Sequence, residues 1–328
     1  MFDQSLHHGH PGFARVFAPS RTTLGLMFPL AKNHNGVADM RGQLDLAKRA
    51  DELGFAALWS RDVPLLDPEF GDAGQVFDPW VWLGQLATVT RRITLSTAGI
   101  VLPLRHPLHT AKAAASVDAI TRGRFMLGAA SGDRAVEYPA FNRDHATRGE
   151  RFREQIETIR SATTETYPTI ENSFGQMQGL DLLPKPLFGH VPMLAVGSAQ
   201  QSVQWIAANM DGWISYPRDI DDQRRRIDLW KMAVGQKANG AFRPFAQSLF
   251  IDLTENPDTD RTPIFLGFRL GRNRLIEHLE RLNDIGVHHV FFNLRHSERP
   301  AADVVEELGA DVLPFFPSHD AAPEATAA

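Results

Sequence analysis

Between residues 23 and 308 the chain alternates between short β-type runs and segments with apolar residues at helical spacing. The strand-like runs are 23–28, 56–59, 93–98, 124–130, 193–196, 212–216, 245–253 and 288–294. Each is followed by a helix-like segment: 38–53, 79–90, 107–120, 148–164, 199–210, 221–235, 272–285 and 301–308. Several boundaries carry their own chemistry. Asp78-Pro79 combines a good N-cap with a proline suited to the first helical turn, and Gly54 suits a helix C-terminus. Eight strand–helix pairs predict a (β/α)8 TIM barrel, because this alternation builds a parallel sheet and eight strands close it. A doubly wound open sheet is the alternative. It usually has fewer strands and a glycine-rich turn after its first strand, whereas Phe28 is followed here by PLAKNHNG.

The rhythm breaks at YPTIENSFGQMQGLDLLPKPLFGHVP, residues 167–192, which has no helical period and is rich in Gly and Pro. It reads as an inserted excursion between the fourth helix and the fifth strand. Residues 256–271 follow the seventh strand as a long loop, read as a mobile lid. The domain expectation is a flexible tail over 1–20, one barrel over 21–317 and a flexible tail over 318–328. His7, His8 and His10 fall in the first tail and suggest a mobile segment before a metal site.

Composition narrows the function. A net charge of −5 gives no case for nucleic acid or an anionic membrane surface. With no cysteine, disulfides, thiolate metal sites and a cysteine nucleophile are excluded. No long uninterrupted apolar run and no basic start with an apolar h-region are present, so neither a membrane span nor a signal peptide is expected, and the chain reads as cytoplasmic.

In a barrel, chemistry gathers where strands end and loops begin. No metal-ligand spacing, HExxH or G-x-S-x-G occurs at those ends, so no metal site is expected. Val196-Gly197-Ser198-Ala199-Gln200-Gln201 joins a strand to a helix through small polar residues. The first N–H groups of a helix, Ser198 and Gln201 would suit an anion there, although Ser198 as a plain helix cap is the simpler alternative. Ser131-Gly132-Asp133-Arg134 is a second small polar strand end, with Arg134 free to meet a phosphate or to pair with Asp133 or Glu137. Arg61, Asp62, Arg105, His106 and Arg295 are polar candidates at the mouth. Among them Arg61, Asp62 and His106 are the catalytic candidates.

The segment STAGIVLPLRHPLHTAKAAASVDAITRGRFMLGAASGDRAVEYPAFN, residues 96–142, resembles the bacterial luciferase-like flavin monooxygenases. It holds a third strand running into IVLP…HP, a helix, a D…TRGRF…G strand and a small polar end, in that order. Residues 192–216 extend the likeness. The resemblance implies that the third strand ends under a flavin ring, often with a non-prolyl cis peptide, here at or next to Ala98-Gly99. Ala98, Gly99 and Ile100 would then form a smooth wall against the ring. Gly197, Ser198, Ala199 and Gln201 would hold the flavin phosphate, Ser131, Gly132 and Arg134 would also bind the cofactor, with Arg134 substituting for the phosphate-binding arginine that luciferase has at the place of Ser131, and Tyr216 would pack near the ring. Ala130 and Val63 stand where luciferase has its reactive cysteine and catalytic histidine, so a non-luminescent member is implied. The implied activity is a two-component monooxygenase on a small organic substrate, using reduced FMN from a separate flavin reductase, and assembly as a homodimer is expected only from the frequency of two-fold dimers. A deazaflavin-dependent dehydrogenase and a non-catalytic flavin-binding protein are the alternatives.

Overall fold

The structure, a computed structural model, describes residues 9–30, 37–67, 69 and 77–319. Eight parallel strands close a barrel: β1 (Thr23–Phe28), β2 (Ala57–Ser60), β3 (Thr94–Thr97), β4 (Phe125–Ala130), β5 (Met193–Val196), β6 (Gly212–Ser215), β7 (Phe245–Leu253) and β8 (His289–Asn293). The ring is complete because β8 pairs with both β7 and β1. Gly25 of β1 sits opposite Ala57 of β2 on one side and Phe291 of β8 on the other. Every residue of β1 is buried, as expected of a parallel strand covered on both faces. This is the (β/α)8 TIM barrel that the alternation predicts.

Around the barrel lie α2 to α10. The major ones are α2 (Gln43–Leu53), α3 (Pro79–Val89), α4 (Pro107–Thr121), α6 (Arg148–Thr164), α8 (Ile220–Lys237) and α9 (Arg272–Ile285). The shorter ones are α5 (Glu137–Ala140), α7 (Val203–Asn209) and α10 (Ala301–Glu307). Asp78 caps α3 as its sequence suggests, accepting from the N–H groups of Trp80 (2.9 Å) and Val81 (3.3 Å). Helix α2 begins later than its apolar spacing predicts. Gly42 takes a left-handed conformation, and Asp39 folds the preceding residues into a turn by accepting from the Arg41 N–H at 2.9 Å.

Two expectations need correction. Residues within the predicted N-terminal tail form helix α1 (Pro11–Val16), whose Phe13 and Val16, with Phe17, are buried against the barrel's lower interior. They belong to one buried apolar cluster with Met27, Trp59, Leu194, Ile214 and Phe291, in which Trp59 stacks on Phe291 with centroids 4.8 Å apart. Strand bottoms leave apolar side chains that need a cover, and α1 supplies it. His10 caps α1 and bonds Asp118 at 3.2 Å, both fully buried. Residues 1–8, with His7 and His8, and residues 320–328 lie outside the described residues.

The segment read as a long loop after β7 is the second correction. It contains an antiparallel hairpin, Thr262–Ile264 with Gly267–Leu270. The second arm runs parallel to the upper half of β7, from Phe250 opposite Gly267 to Leu253 opposite Leu270. Strand β7 has nine residues and outlasts its barrel neighbours, so its upper amides and carbonyls need a partner. Gly267 permits this, since a Cβ there would lie 1.8 Å from the Phe250 carbonyl oxygen. Between α6 and β5, residues 170–177 form a second small hairpin, with Asn172 donating to Thr158 of α6 at 2.7 Å.

Candidate functional site

At the C-terminal ends of the strands lies a cavity of about 820 Å³, to which each of the eight strands or the loop after it contributes. Its volume suits a cofactor-sized ligand. One wall is built from Ala98, Gly99, Val101 and Val196. The peptide bond between Ala98 and Gly99 is cis, at the position the resemblance implies. The chain then continues into a short strand, Ile100–Val101, that pairs with Ala129 and Ala130 of β4. Two glycines let these backbones close up. A Cβ on Gly128 would stand 1.8 Å from the Thr97 carbonyl oxygen, and one on Gly99 would stand 2.7 Å from Val196 Cγ2 and 2.9 Å from the Gly128 oxygen. The smoothness of TAGIV is therefore enforced by packing. Ile100 departs from its expected place against a ring: it is fully buried in the core between sheet and helices and does not line the cavity.

The turn after β5 also differs from its prediction. Helix α7 starts at Val203 and is capped by Ser202, whose hydroxyl accepts from the Trp205 N–H at 3.1 Å. Residues 197–201 are thus a turn and not a helix N-terminus. Gly197, Ala199 and Gln200 all have left-handed φ values, of 66°, 48° and 59°. The N–H of Gly197 is used within the barrel, donating to the Ile214 carbonyl at 2.9 Å. The Gln201 side chain is also used internally, donating to the carbonyls of Gly149 (2.8 Å) and Ala199 (3.0 Å). Gln201 does not line the cavity, whereas Ser198, Ala199 and Gln200 do. Successive N–H groups in such turns form concave anion sites without needing a helix. A Cβ placed on Gly197 would meet nothing within 4 Å, so the approach to the turn is open.

Next to this turn stands the loop after β4, whose strand pairs with β5. Ser131 is buried, and its carbonyl accepts from the buried Tyr138 hydroxyl, whose pKa is pushed up to about 12, chiefly by desolvation. Gly132 has φ 77° and reaches the cavity beside Val101. Arg134 lies 3.7 Å from Glu137 and donates to the Leu65 carbonyl at 3.4 Å. Burial raises the Glu137 carboxyl pKa despite that arginine. Arg148, the first residue of α6, completes this side.

The catalytic candidates separate. Arg61 lines the cavity. Its guanidinium pKa is pushed down to about 10, first by desolvation and then by the positive charge of Arg134, with Tyr216 opposing and Arg295 adding. Asp62 also reaches the lining, but its carboxylate is committed to holding backbone: it accepts from Val101 N (3.0 Å), Arg105 Nε (2.9 Å) and Arg105 Nη2 (2.7 Å). His106 is outside the cavity. It caps α4 by accepting from the Leu108 N–H at 3.3 Å, and its Nε2 lies 3.3 Å from the Phe174 carbonyl. Tyr216 is half exposed at the rim, with burial and Asp133 raising its hydroxyl pKa. Ala130 and Val63 line the cavity.

Sequence reasoning did not reach Arg148, Phe250, Phe265 or His296, which also line it. Phe250 follows from inward alternation along β7, and Arg148 from asking where the β4 loop returns. Phe265, at the tip of the β7 hairpin, packs edge-on to Phe250 at 5.9 Å and needed the three-dimensional fold.

Comparison with known proteins places these features. A family model described as luciferase-like monooxygenase matches residues 22–259. An uncharacterized protein of Mycobacterium tuberculosis is 34% identical over 179 residues, covering 51% of this chain and 63% of that protein. The alkanal monooxygenase alpha chain of Photorhabdus luminescens is 24% identical over 193 residues, covering 58% and 52% respectively. The F420-dependent hydroxymycolic acid dehydrogenase of Mycobacterium tuberculosis is 29% identical over 198 residues, covering 59% and 53%. The matches thus span between about half and two thirds of these relatives' lengths. Two solved structures share the fold. An F420-dependent secondary alcohol dehydrogenase has a TM-score of 0.74 at 15% identity, covering 90% of this chain and 99% of that one. The oxygenating constituent of 3,6-diketocamphane monooxygenase of Pseudomonas putida, in complex with FMN, has a TM-score of 0.71 at 14% identity, covering 92% and 100%.

Proposed function

This chain belongs to the luciferase-like monooxygenase family, and on that premise we propose that it is the oxygenating component of a two-component enzyme that takes reduced FMN from a separate flavin reductase. One observation carries the reading. A single cavity joins a smooth wall, where Gly99 and Gly128 leave no room for a Cβ, to an anion-suited turn at Ser198 and Ala199. A flat ring with a charged tail fits that pair of surfaces. When bound, reduced FMN supplies two electrons to dioxygen, so that one oxygen atom enters the substrate and the other leaves as water.

The chain's own residues bind, orient and shield. Ser198, Ala199 and Gln200 would hold the phosphate with Arg134 of the neighbouring loop and Arg148 at the start of α6, and Ala98, Gly99 and Val101 would back the ring. Tyr216 would border it at the rim. Phe250, Phe265 and Leu266 would cover the mouth and limit water, which protects reactive oxygen chemistry from decay. Arg61 supplies fixed positive charge on the substrate side. The wall beneath Val101 is positioned by Asp62, a task distinct from proton transfer.

A deazaflavin-dependent dehydrogenase is the second reading, favoured by the F420-dependent relative and by the shared fold of the secondary alcohol dehydrogenase. Titration with FMN and with F420, followed by ring absorbance and tryptophan fluorescence, separates the two. The monooxygenase reading requires saturable FMN binding and substrate-dependent oxygen uptake when a generic flavin reductase and NADH are supplied. Binding of F420 with FMN excluded would replace it, and binding of neither would overturn both.

A further inference from the structure

We propose that the substrate is an aromatic compound whose ring seats in a corner formed by Phe250, Phe265 and His296 on the β7–β8 side of the cavity. The proposal rests on the flavin-enzyme reading for which ligand the corner serves, and it adds the substrate class. Ring geometry defines the corner. Phe250, on the upper part of β7, faces the cavity. Phe265 stands edge-on to it, with centroids 5.9 Å apart and planes at 79°. His296, from the loop after β8, lies 5.7 Å from Phe250 with planes at 38°. All three rings line the cavity, and Phe291 of β8 extends the aromatic surface one row deeper, opposite Ser248 of β7.

Phe265 is the member that the fold itself does not require. It is 64% exposed and belongs to none of the buried apolar clusters of the described residues. A ring left in water at a hairpin tip contributes nothing to the core. Its position is nevertheless fixed. The Phe250 N–H donates to the Leu266 carbonyl at 3.1 Å, and Leu266 has a left-handed φ of 53°, so the hairpin tip is pinned to the strand residue whose ring Phe265 meets. Two residues on, Asp252 accepts from Arg269 of the second hairpin arm at 2.6 Å and from the Glu298 N–H of the β8 loop at 2.9 Å. One strand therefore holds both loops, and the rings they carry are oriented before a ligand arrives. Such preorganisation spares binding the cost of ordering the site.

Aromatic faces are electron-rich and their edges electron-poor, so rings favour edge-to-face and offset-stacked contacts. Phe250 and Phe265 stand nearly perpendicular and offer an incoming planar ring both kinds of contact. A saturated ring is thicker, has no such charge distribution and gains only burial. Topology gives this corner to the substrate and not to the cofactor. The smooth wall at Ala98 and Gly99 follows β3, and β3 and β7 are four strands apart in the closed ring of eight. A flavin ring backed by that wall leaves the opposite side of the cavity, where the corner stands, for the compound to be oxidised.

The test is isothermal titration of the full chain, alone and saturated with FMN, using benzyl alcohol and its saturated counterpart cyclohexylmethanol. Both are uncharged and carry the same hydroxymethyl group, and the saturated ring is the more hydrophobic, so burial alone favours cyclohexylmethanol. Ring contacts are expected to reverse that order, with benzyl alcohol bound about fivefold more tightly by the FMN-saturated chain. Phe265→Leu and Phe250→Leu keep apolar surface and remove one ring. Each should erase the preference, while affinities for cyclohexylmethanol and FMN change less than about threefold, and Phe265→Tyr should retain it. Equal or tighter binding of cyclohexylmethanol by the unaltered chain overturns the proposal, as does a preference that survives Phe265→Leu. A loss of FMN or F420 affinity that parallels the loss of benzyl alcohol binding assigns the rings to the cofactor and also overturns it. An aromatic preference that depends on Phe265 in a chain binding neither FMN nor F420 would sink the flavin reading and leave the corner standing, so the two failures are distinguishable. Phe265 lies outside the core, so its variants decide the outcome even if Phe250→Leu fails to fold.

Discussion

Replacing Asp62 with asparagine tests whether this carboxylate is a clamp or an acid–base group. Its side chain is 1% exposed and accepts three hydrogen bonds, from Val101 N and from two nitrogens of Arg105. Asparagine keeps the shape and one acceptor, but turns an NH2 group toward a guanidinium that can only donate. Breaking a buried ion pair by removing one partner costs about 3–5 kcal/mol. Arg105 is 25% exposed and keeps Asp78 at 3.2 Å, which places the cost at the lower end, about 3 kcal/mol. For a chain of 328 residues that corresponds to a fall in Tm of about 4 °C. Thermal unfolding by circular dichroism reads it directly. Arg105→Gln and the double variant Asp62→Asn/Arg105→Gln complete a cycle in which the two losses should overlap by at least about 1 kcal/mol. An unchanged Tm in Asp62→Asn with turnover abolished would refute this reasoning and return Asp62 to the chemistry.

The turn after β5 yields a paired prediction. Ser202→Ala should cost about 1 kcal/mol as a lost helix cap and leave FMN affinity unchanged, whereas Ser198→Ala should weaken FMN binding severalfold with little change in Tm. Phe13→Ala, at the opposite end of the barrel, should cost about 3 kcal/mol in denaturant unfolding while FMN binding is preserved. Gly128→Ala should reduce soluble yield sharply, because its Cβ would fall 1.8 Å from a backbone oxygen, and a well-folded variant with native FMN affinity would contradict the packing of that wall. Burial pushes the pKa of His289 down to about 3 and those of His278 and His288 to about 4. In the unfolded chain these imidazoles take up protons below about pH 6.5, so the unfolded state binds more protons across that window and stability falls as pH drops from about 6.5 toward 4. Tm measured against pH should show this decline, and it should be shallower in His278→Gln.

The behaviour of His289 shows why position in the fold matters more than residue type. Trp59 Nε1 donates to its Nε2 at 2.9 Å, so its Nδ1 carries the proton toward Thr23 Oγ1 at 2.7 Å, and Thr23 in turn bonds the Val16 carbonyl. This chain of bonds fastens α1 beneath the barrel, and His289 is a neutral structural group. Nothing in HHVFFNL distinguishes it from a catalytic histidine, because its partners come from residues 266 and 230 positions away.

What the sequence determined by itself is periodic and local. Alternating strand and helix patterns specify the barrel, since burial of each face sets side-chain spacing directly. Helix α6 and strands β1, β5 and β7 accordingly have the bounds that their patterns predict. Caps such as Asp78 were legible for the same reason, being decided within a few residues, whereas the wall at Ala98-Gly99 was expected only from the family resemblance and is held by packing against Gly128 and Val196. Tertiary structure decided whatever depends on which distant groups meet. It made Asp62 and His106 structural through Arg105, Val101 and Phe174. It also ended the turn at Ser202 before α7 begins, gave the overlong β7 a hairpin partner, and turned a presumed tail into the barrel's floor. Hydrogen-bond satisfaction and apolar burial are properties of the assembled chain, and neither is visible until the strands close.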